Sequence, residues 1–300
     1  MLVFEFKTYG KESQFTAIDD AIRTMQFVRN KSIRYWIDNP KATKYDLNKQ
    51  CALLSKEFSF ASELNSTARQ AAAERAWSAI SRFFDNCKSK IAGKKGFPQF
   101  QKDCRSVEYK TSGWKLAENR KSITFTDKKG IGQLKLKGTR DLNFYQPDQI
   151  KRVRLVKRAD GYYVQFCISV DRTEVLPATG NTIGLDVGLK SFYTDSNGIE
   201  IENPRFYRVG EVKMKRAQRL VSRKVKGSMN RRNSRSSLGR IHLKISRQRK
   251  DHAVKLARCV ITSNECDSFA LNLQRRTSGI CLGNPLGLSS HFNPQQMTTI

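Results

Sequence analysis

Apolar and polar residues alternate at the start of the chain, with Leu2, Phe4 and Phe6 set against Val3, Glu5 and Lys7, which is the period of a β-strand. The spacing then becomes helical. Ile18, Ile22, Met25 and Val28 recur every three or four residues, Thr16 is placed to cap this helix with Asp19 three residues on, and Tyr35 and Trp36 close it. Leu47, Cys51, Leu54 and Phe58 mark a second helix. Ala72, Ala76, Ala79 and Phe83, with Trp77, Ile80 and Phe84 beside them, mark a third. The stretch GKKGFPQFQK, Gly93–Lys102, breaks helicity with two glycines and a proline. From there to about Val170 short apolar runs predict strands: Ile123 and Phe125, then Ile131, Leu134 and Leu136, then Val153 and Leu155. Asp160-Gly161 is placed as a hairpin turn. The expectation is a compact barrel or sheet whose first strand is separated from the others by a helical insert.

A second region begins after Pro177-Ala-Thr-Gly180. Ile183, Leu185 and Val187 form one face of a strand, Phe192, Tyr193 and Thr194 continue in strand-forming residues, and Asn197-Gly198 offers a type I′ turn. Val209 to about Lys226 and Leu238 to about Ile261 read as helices, separated by the Gly/Ser/Asn-rich KGSMNRRNSRSS. The fold class is therefore α+β. No apolar run approaches the ~18 residues needed to cross a bilayer, and the N-terminus has no apolar stretch followed by a cleavage site. A cytoplasmic chain without membrane contact is expected.

Charge changes the picture. The 300 residues carry 56 Lys+Arg against 27 Asp+Glu, a net +29 with pI about 10.1, which calls for a polyanionic partner. Hydrophobic content of 38% with 10% aromatics is too high for a disordered basic tail. Residues 205–258 alone hold 19 Lys/Arg and two acids, Glu211 and Asp251. A solvated helix face ordinarily carries charges of both signs, so this excess points to nucleic acid. The candidate phosphate contacts are Arg216, Arg219, Arg223, Lys224, Arg231, Arg232, Arg235, Arg240, Lys244, Arg247, Arg249 and Lys250, which would track the backbone without reading bases. Tyr35, Trp36, Trp77, Tyr109 and Trp114 either stack on bases or fill the core. Residues 264–300 hold two basic and two acidic residues and turn polar, so a disordered tail is expected there.

Candidate chemistry is sparse. The seven cysteines form no C-x-x-C pair and read as reduced thiols, so zinc is not expected. His242, His252 and His291 are too far apart for a one-turn metal pair and read as solvated or packed side chains. Asp186 lies within an apolar strand between Gly184 and Gly188, where an ionised carboxylate is costly unless a cation answers it. A divalent metal would do so, with the glycines leaving room for a phosphate backbone, and so would an ion pair with one of the many nearby cations. One carboxylate cannot by itself hold the two ions of metal-assisted phosphodiester hydrolysis. A basic RNA-packing protein of ribosomal type would explain the charge but not this strand.

The order of GFPQFQK, IKRVRLVKRADGYYVQFCISV, IGLDVGLKSFYTDSNGIEIENPRFYR and RRNSRSSLGRIHLKISRQRKDHAVKLA resembles the OrfB/TnpB family of insertion-sequence transposases, RNA-guided DNA endonucleases related to type V CRISPR effectors. The resemblance spans about residues 1–263. It implies a wedge-type β-barrel over 1–10 and 93–178, a helical recognition insert over 11–92, and an incomplete RNase H-like (RuvC) α/β nuclease domain over 179–263, with an aberrant tail over 264–300. It implies that Asp186 is a catalytic Mg²⁺ ligand, and that DNA and a guide RNA encoded by the same element are the partners. The chain departs from the family pattern after Asn264, where no E-D-L motif, four-cysteine ribbon or final Asp follows. The late carboxylates are Glu265 and Asp267. A frameshift, deletion or junction near 262–270 is therefore expected, and with it the alternative of a catalytically dead fragment that only binds RNA or DNA.

Overall fold

The structure is a computed structural model describing residues 1–89, 93–170 and 182–263, and it mixes helices with antiparallel sheet. Chain contacts divide it into two compact units, one formed by residues up to Asp171 and one that begins at Arg172. The expected tail over 264–300, Glu265 and Asp267 included, lies outside the described residues.

In the first unit, β1 (Leu2–Tyr9) buries Leu2, Phe4, Phe6 and Thr8 and turns the alternate residues outward, as the alternation predicts. Four helices follow: α1 (Glu12–Asp38), α2 (Lys44–Glu57), the single turn α3 (Ser59–Ser62) and α4 (Ser66–Lys88). Helix α1 starts four residues before Thr16, which sits inside it and bonds back to Glu12 O; Lys11 is the residue at its N-cap. The reason is Gln14. Its Oε1 accepts from Lys11 N at 2.9 Å, while its Nε2 donates to Ile131 O and Gln133 O, so one amide both caps the helix and ties it to the sheet. Helix α2 is capped by reciprocal bonds between Thr43 and Asp46. Ile18, Met25, Val28 and Ile33 of α1 are fully buried against the alanine face of α4, where Ala68, Ala71, Ala72, Ala73 and Ala76 let the backbones approach.

The strands are β2 (Ser106–Lys110), β3 (Trp114–Leu116), β4 (Ser122–Phe125), β5 (Gln133–Lys137), β6 (Ile150–Arg158) and β7 (Gly161–Ile168). They join β1 in one antiparallel sheet of order β2-β6-β7-β1-β5-β4-β3. The sheet curls. Tyr109 on edge strand β2 packs its ring 4.8 Å from Phe125 on β4, beside the opposite edge, and donates its hydroxyl to Asp127 at 2.8 Å. The hairpin joining β6 and β7 turns at Ala159-Asp160, one residue earlier than expected, because Arg158 pairs with Gly161, whose φ of +134° suits glycine alone.

The closure is braced by charge. Glu108 on β2 is 2% exposed and accepts from Arg75 of α4 and from Arg152 and Arg154 of β6. Neighbouring Glu74 pairs with Lys44, Lys110 and Arg152. Burial pushes the Glu108 carboxyl up, but the hydrogen bonds from Arg154 and Arg152 outweigh it and hold the group below the usual carboxylate range.

The second unit has a three-stranded antiparallel sheet, β8 (Leu185–Asp186), β9 (Ser191–Asp195) and β10 (Glu200–Glu202), followed by α5 (Phe206–Arg223) and α6 (Met229–Ser263). The turn after β9 involves Asn197-Gly198, with Gly198 at φ +85° and Asp195 Oδ1 accepting from the backbone of Asn197 and Ile199. Tyr193, Leu256 and Val260 form a small core with Ile183, Leu185, Phe192 and Ile201, so the sheet rests on the last turns of α6. Val187, expected on the same face as Ile183 and Leu185, is exposed because β8 ends at Asp186. Helix α6 is also longer than expected and runs through the serine-rich stretch read as a linker. Ser228 Oγ accepts from Arg231 N at its start and Ser234 bonds back to Asn230 O, so these serines satisfy the helix backbone instead of breaking it. Gly210 allows α5 and α6 to meet, since a Cβ there would stand 2.6 Å from Ile245 Cδ1.

Replacing Glu108 by Gln leaves three guanidiniums around an uncharged group, and the first unit is expected to lose about 3–5 kcal/mol. The sign with pH follows from the lowered carboxyl. Its contribution is complete above the unfolded value of about 4.3 and is lost as pH falls through the lower folded value. Urea unfolding of the full chain, followed by the fluorescence of Trp36, Trp77 and Trp114, checks both. The midpoint should fall in Glu108→Gln and its acid limb should flatten, and an unchanged midpoint contradicts the brace.

Candidate nucleic-acid interface

Helix α5 turns Gly210, Met214, Ala217 and Val221 toward α6, a spacing of four, three and four that buries one stripe. Its outer face carries Arg216, Arg219 and Arg223 at the same spacing, all exposed, beside an open depression of about 420 Å³ lined by Lys215, Gln218, Arg219, Ser222 and Arg223. On α6, Arg240, Lys244 and Arg247 repeat the arrangement, with Arg232, Arg235, Arg249 and Lys250 also exposed, as is Lys224 at the end of α5. Arg231 differs: it is half-buried, and its Nη1 donates to Lys224 O at 2.9 Å, so it fixes the end of α5.

Both acids of this stretch are spent on other cations. Glu211 holds Arg208 at 3.1 Å and Lys215 at 2.9 Å, and Asp251 holds Lys255 at 2.9 Å. The hydrogen bonds from Lys215 and Arg208 keep the Glu211 carboxyl below its usual range. The ridges of α5 and α6 thus keep an excess of positive charge.

A further cationic face on the first unit was not visible in the sequence count. Lys7 stands directly opposite Lys137 across β1 and β5, and Lys135 stands between Tyr9 and Ser122. Lys115 follows on β3 opposite Thr124. All lie on the outer side of the sheet, and none pairs with a carboxylate among the described residues. Like charges directly opposite one another destabilise a sheet, so the Lys7–Lys137 pair costs stability. The signal is one of strand register, which residue spacing alone does not supply.

Asp186 is exposed, contrary to the expected buried strand position, so water solvates its carboxylate and no desolvation cost demands a cation. Leu185, Tyr193 and Ile201 point to α6, which places Asp186 on the other side of the sheet in register with Thr194 and, one strand further, Glu200. Among the described residues no cation lies within ion-pair distance of Asp186, and no three His, Cys, Asp or Glu side chains converge to hold a metal ion. Asp186 is thus a single carboxylate donor among the described residues. A Cβ at Gly184 or Gly188 would meet only ordinary contacts, so neither glycine is required by packing against the described residues.

Trp36, Tyr109 and Trp114 are buried, whereas Tyr35 and Trp77 are partly so. His242 is exposed and His252 packs against Phe192 and Phe206, with burial lowering its pKa; His291 lies outside the described residues. Cys51, Cys87, Cys104, Cys167 and Cys259 are thiols, and burial pushes Cys51 up to about 11. No helix among the described residues is long and apolar enough to cross a membrane.

Comparison with known proteins gives three kinds of likeness. The OrfB_IS605 family, described as a probable transposase, matches residues 165–269. A protein of Streptomyces pristinaespiralis named "Putative RNA-guided DNA endonuclease" is 27% identical over 274 residues, which is 87% of this chain and 64% of that protein. One of Escherichia coli K12, with the same name and the designation InsQ, is 25% identical over 165 residues, 55% of this chain and 39% of that protein. This chain thus spans less than two thirds of either relative. Among solved structures, a Cas12f1–sgRNA–target DNA complex matches with TM-score 0.44 and 13% identity over 83% of this chain and 62% of that one.

If the α5 ridge contacts phosphates, Arg216→Gln, Arg219→Gln and Arg223→Gln combined should weaken binding of short RNA and DNA duplexes by about tenfold or more, equally for every base sequence. Fluorescence anisotropy with three unrelated sequences checks it. Loss confined to one sequence, or no loss, contradicts a backbone contact.

Proposed function

Because the chain is a TnpB-type member of the OrfB transposase family, we propose that it binds a guide RNA and target DNA and belongs to the machinery of RNA-guided DNA cleavage. The observation that carries this reading is the excess of positive charge over residues 205–258, where nineteen cations stand against two acids that are already paired. Such a surface attracts a polyanion of any sequence, and base pairing with a guide can then supply the specificity that phosphate contacts lack. The lysine face of the curled sheet adds a second place for phosphates on the first unit. In this division of labour the protein holds shape and charge, and the RNA reads sequence.

Asp186 is the residue proposed for cleavage. Its exposure on an edge strand of the sheet suits a group that must meet a phosphodiester. Mg²⁺ is the expected ion for that chemistry. A second reading, binding without cleavage, is favoured by the absence of converging carboxylates around Asp186 among the described residues.

The purified chain, incubated with Mg²⁺, an RNA and its complementary DNA target, distinguishes the two. Salt-sensitive binding is expected for both the unaltered protein and Asp186→Ala, within about twofold of each other. Any strand cleavage should vanish in Asp186→Ala. Cleavage that persists in the variant overturns the role of Asp186, and absence of nucleic-acid binding in the unaltered chain overturns the whole reading.

A further inference from the structure

From Gly93 to Cys104 the chain belongs to no strand, yet its backbone is fastened at several points. Asn86 Nδ2 donates to Lys95 O at 3.1 Å and Arg29 Nη1 to Gln99 O at 3.3 Å. Asn30 grips Gln101 from both sides, donating to its O at 2.9 Å and accepting from its N at 2.8 Å. Gln26 Oε1 accepts from Cys104 N at 2.8 Å. Side chains of α1 and α4 thus do for this segment what a neighbouring strand would do. A strap held in this way presents fixed side chains, and the ones it presents are aromatic.

Phe97 is 53% exposed and Phe100 49%. Phe97 is backed by an aromatic layer, with Trp36 at 5.7 Å and Phe83 at 5.3 Å between ring centroids, and that layer continues to Phe84, itself 40% exposed. The cost of leaving these rings in water is not explained by the fold, because the buried side of the layer is already supplied by Trp36. The surrounding charge narrows the occupant. The strap over 93–104 carries three lysines, Lys94, Lys95 and Lys102, against one acid, Asp103, which pairs with Arg105 at 3.4 Å, and Lys88 stands at the end of α4.

We propose that the strap over 93–104 is a stacking platform for unpaired bases of a single-stranded nucleic acid, with Phe97 and Phe100 receiving the bases and the lysines their phosphates. Every base has a π-face, so such a site tolerates any sequence, while a duplex hides its base faces and gains nothing from the rings. The platform rests on the nucleic-acid reading above and adds to it where, and in which strandedness, the contact is made. The signal in the sequence was the GFPQF stretch, which there ends a helix and helps carry the resemblance but is given no contact of its own.

The test uses the full chain and single-stranded RNA and DNA oligonucleotides carrying 2-aminopurine, whose emission falls when it stacks. The unaltered protein should quench the probe. Phe97→Ala with Phe100→Ala should abolish quenching and weaken single-strand binding by about tenfold or more, since one stacked base contributes roughly 1–3 kcal/mol. Duplex binding should be unchanged. Phe97→Leu with Phe100→Leu keeps an apolar side chain against Trp36 but removes the π-face, and should give the same loss with an unaltered melting temperature. Phe97→Trp should retain quenching. Full quenching and affinity in the leucine variant overturn the platform and leave the wider reading standing, whereas an unaltered protein that binds no oligonucleotide overturns both.

Discussion

Glu108 sits between Arg75, Arg152 and Arg154 on the strand that closes the curled sheet, and the rest of the first unit is arranged around that contact. It joins α4 to β2 and β6, and Glu74 extends the same brace to α2 and Lys110. Breaking a buried pair costs far more than leaving a surface pair unmade. In a chain with about two cations per carboxylate, acids placed where the fold needs them are unavailable to neutralise the surface. Glu5 and Asp19 repeat the rule. Each ties a β6 cation, Arg158 or Lys157, to β1 or α1.

What remains outside is positive charge by default. On the second unit the acids Glu211 and Asp251 each hold a neighbour on the same helix, and the ridge cations are left facing solvent. On the first unit Lys7 and Lys137 confront one another across a strand pair, an arrangement that lowers the stability of the isolated protein. A local rule broken without evident compensation is expected at a functional or strained site. The proposed polyanion contacts would then follow from the same short supply of carboxylates that the fold spends internally.

Much of the scaffold was legible in the sequence because it follows simple periods. The alternation of Leu2, Phe4 and Phe6 and the helical spacing of Ile18, Ile22 and Met25 describe the buried faces directly. The start of α1 was misplaced because Gln14 caps it from inside while bonding a strand more than a hundred residues away, which no local window contains. The length of α6 was misjudged because serine and asparagine favour loops only when their side chains compete with the helix, and here Ser228 and Ser234 bond within it. Asp186 was legible as a residue that matters to the resemblance, but its exposure and its register with Thr194 and Glu200 depend on a strand only two residues long. Lys7, Lys135 and Lys137 belong together only once the sheet order is known, and the strap at Phe97 only once α1 and α4 lie beneath it.

The claim that surplus cations on both units meet phosphates is tested most directly by the salt dependence of RNA binding by the unaltered chain. The account expects log Kobs to fall linearly with log[KCl], losing at least about a hundredfold between roughly 50 and 200 mM as several counterions are released. An affinity that stays within about threefold across that range would contradict it.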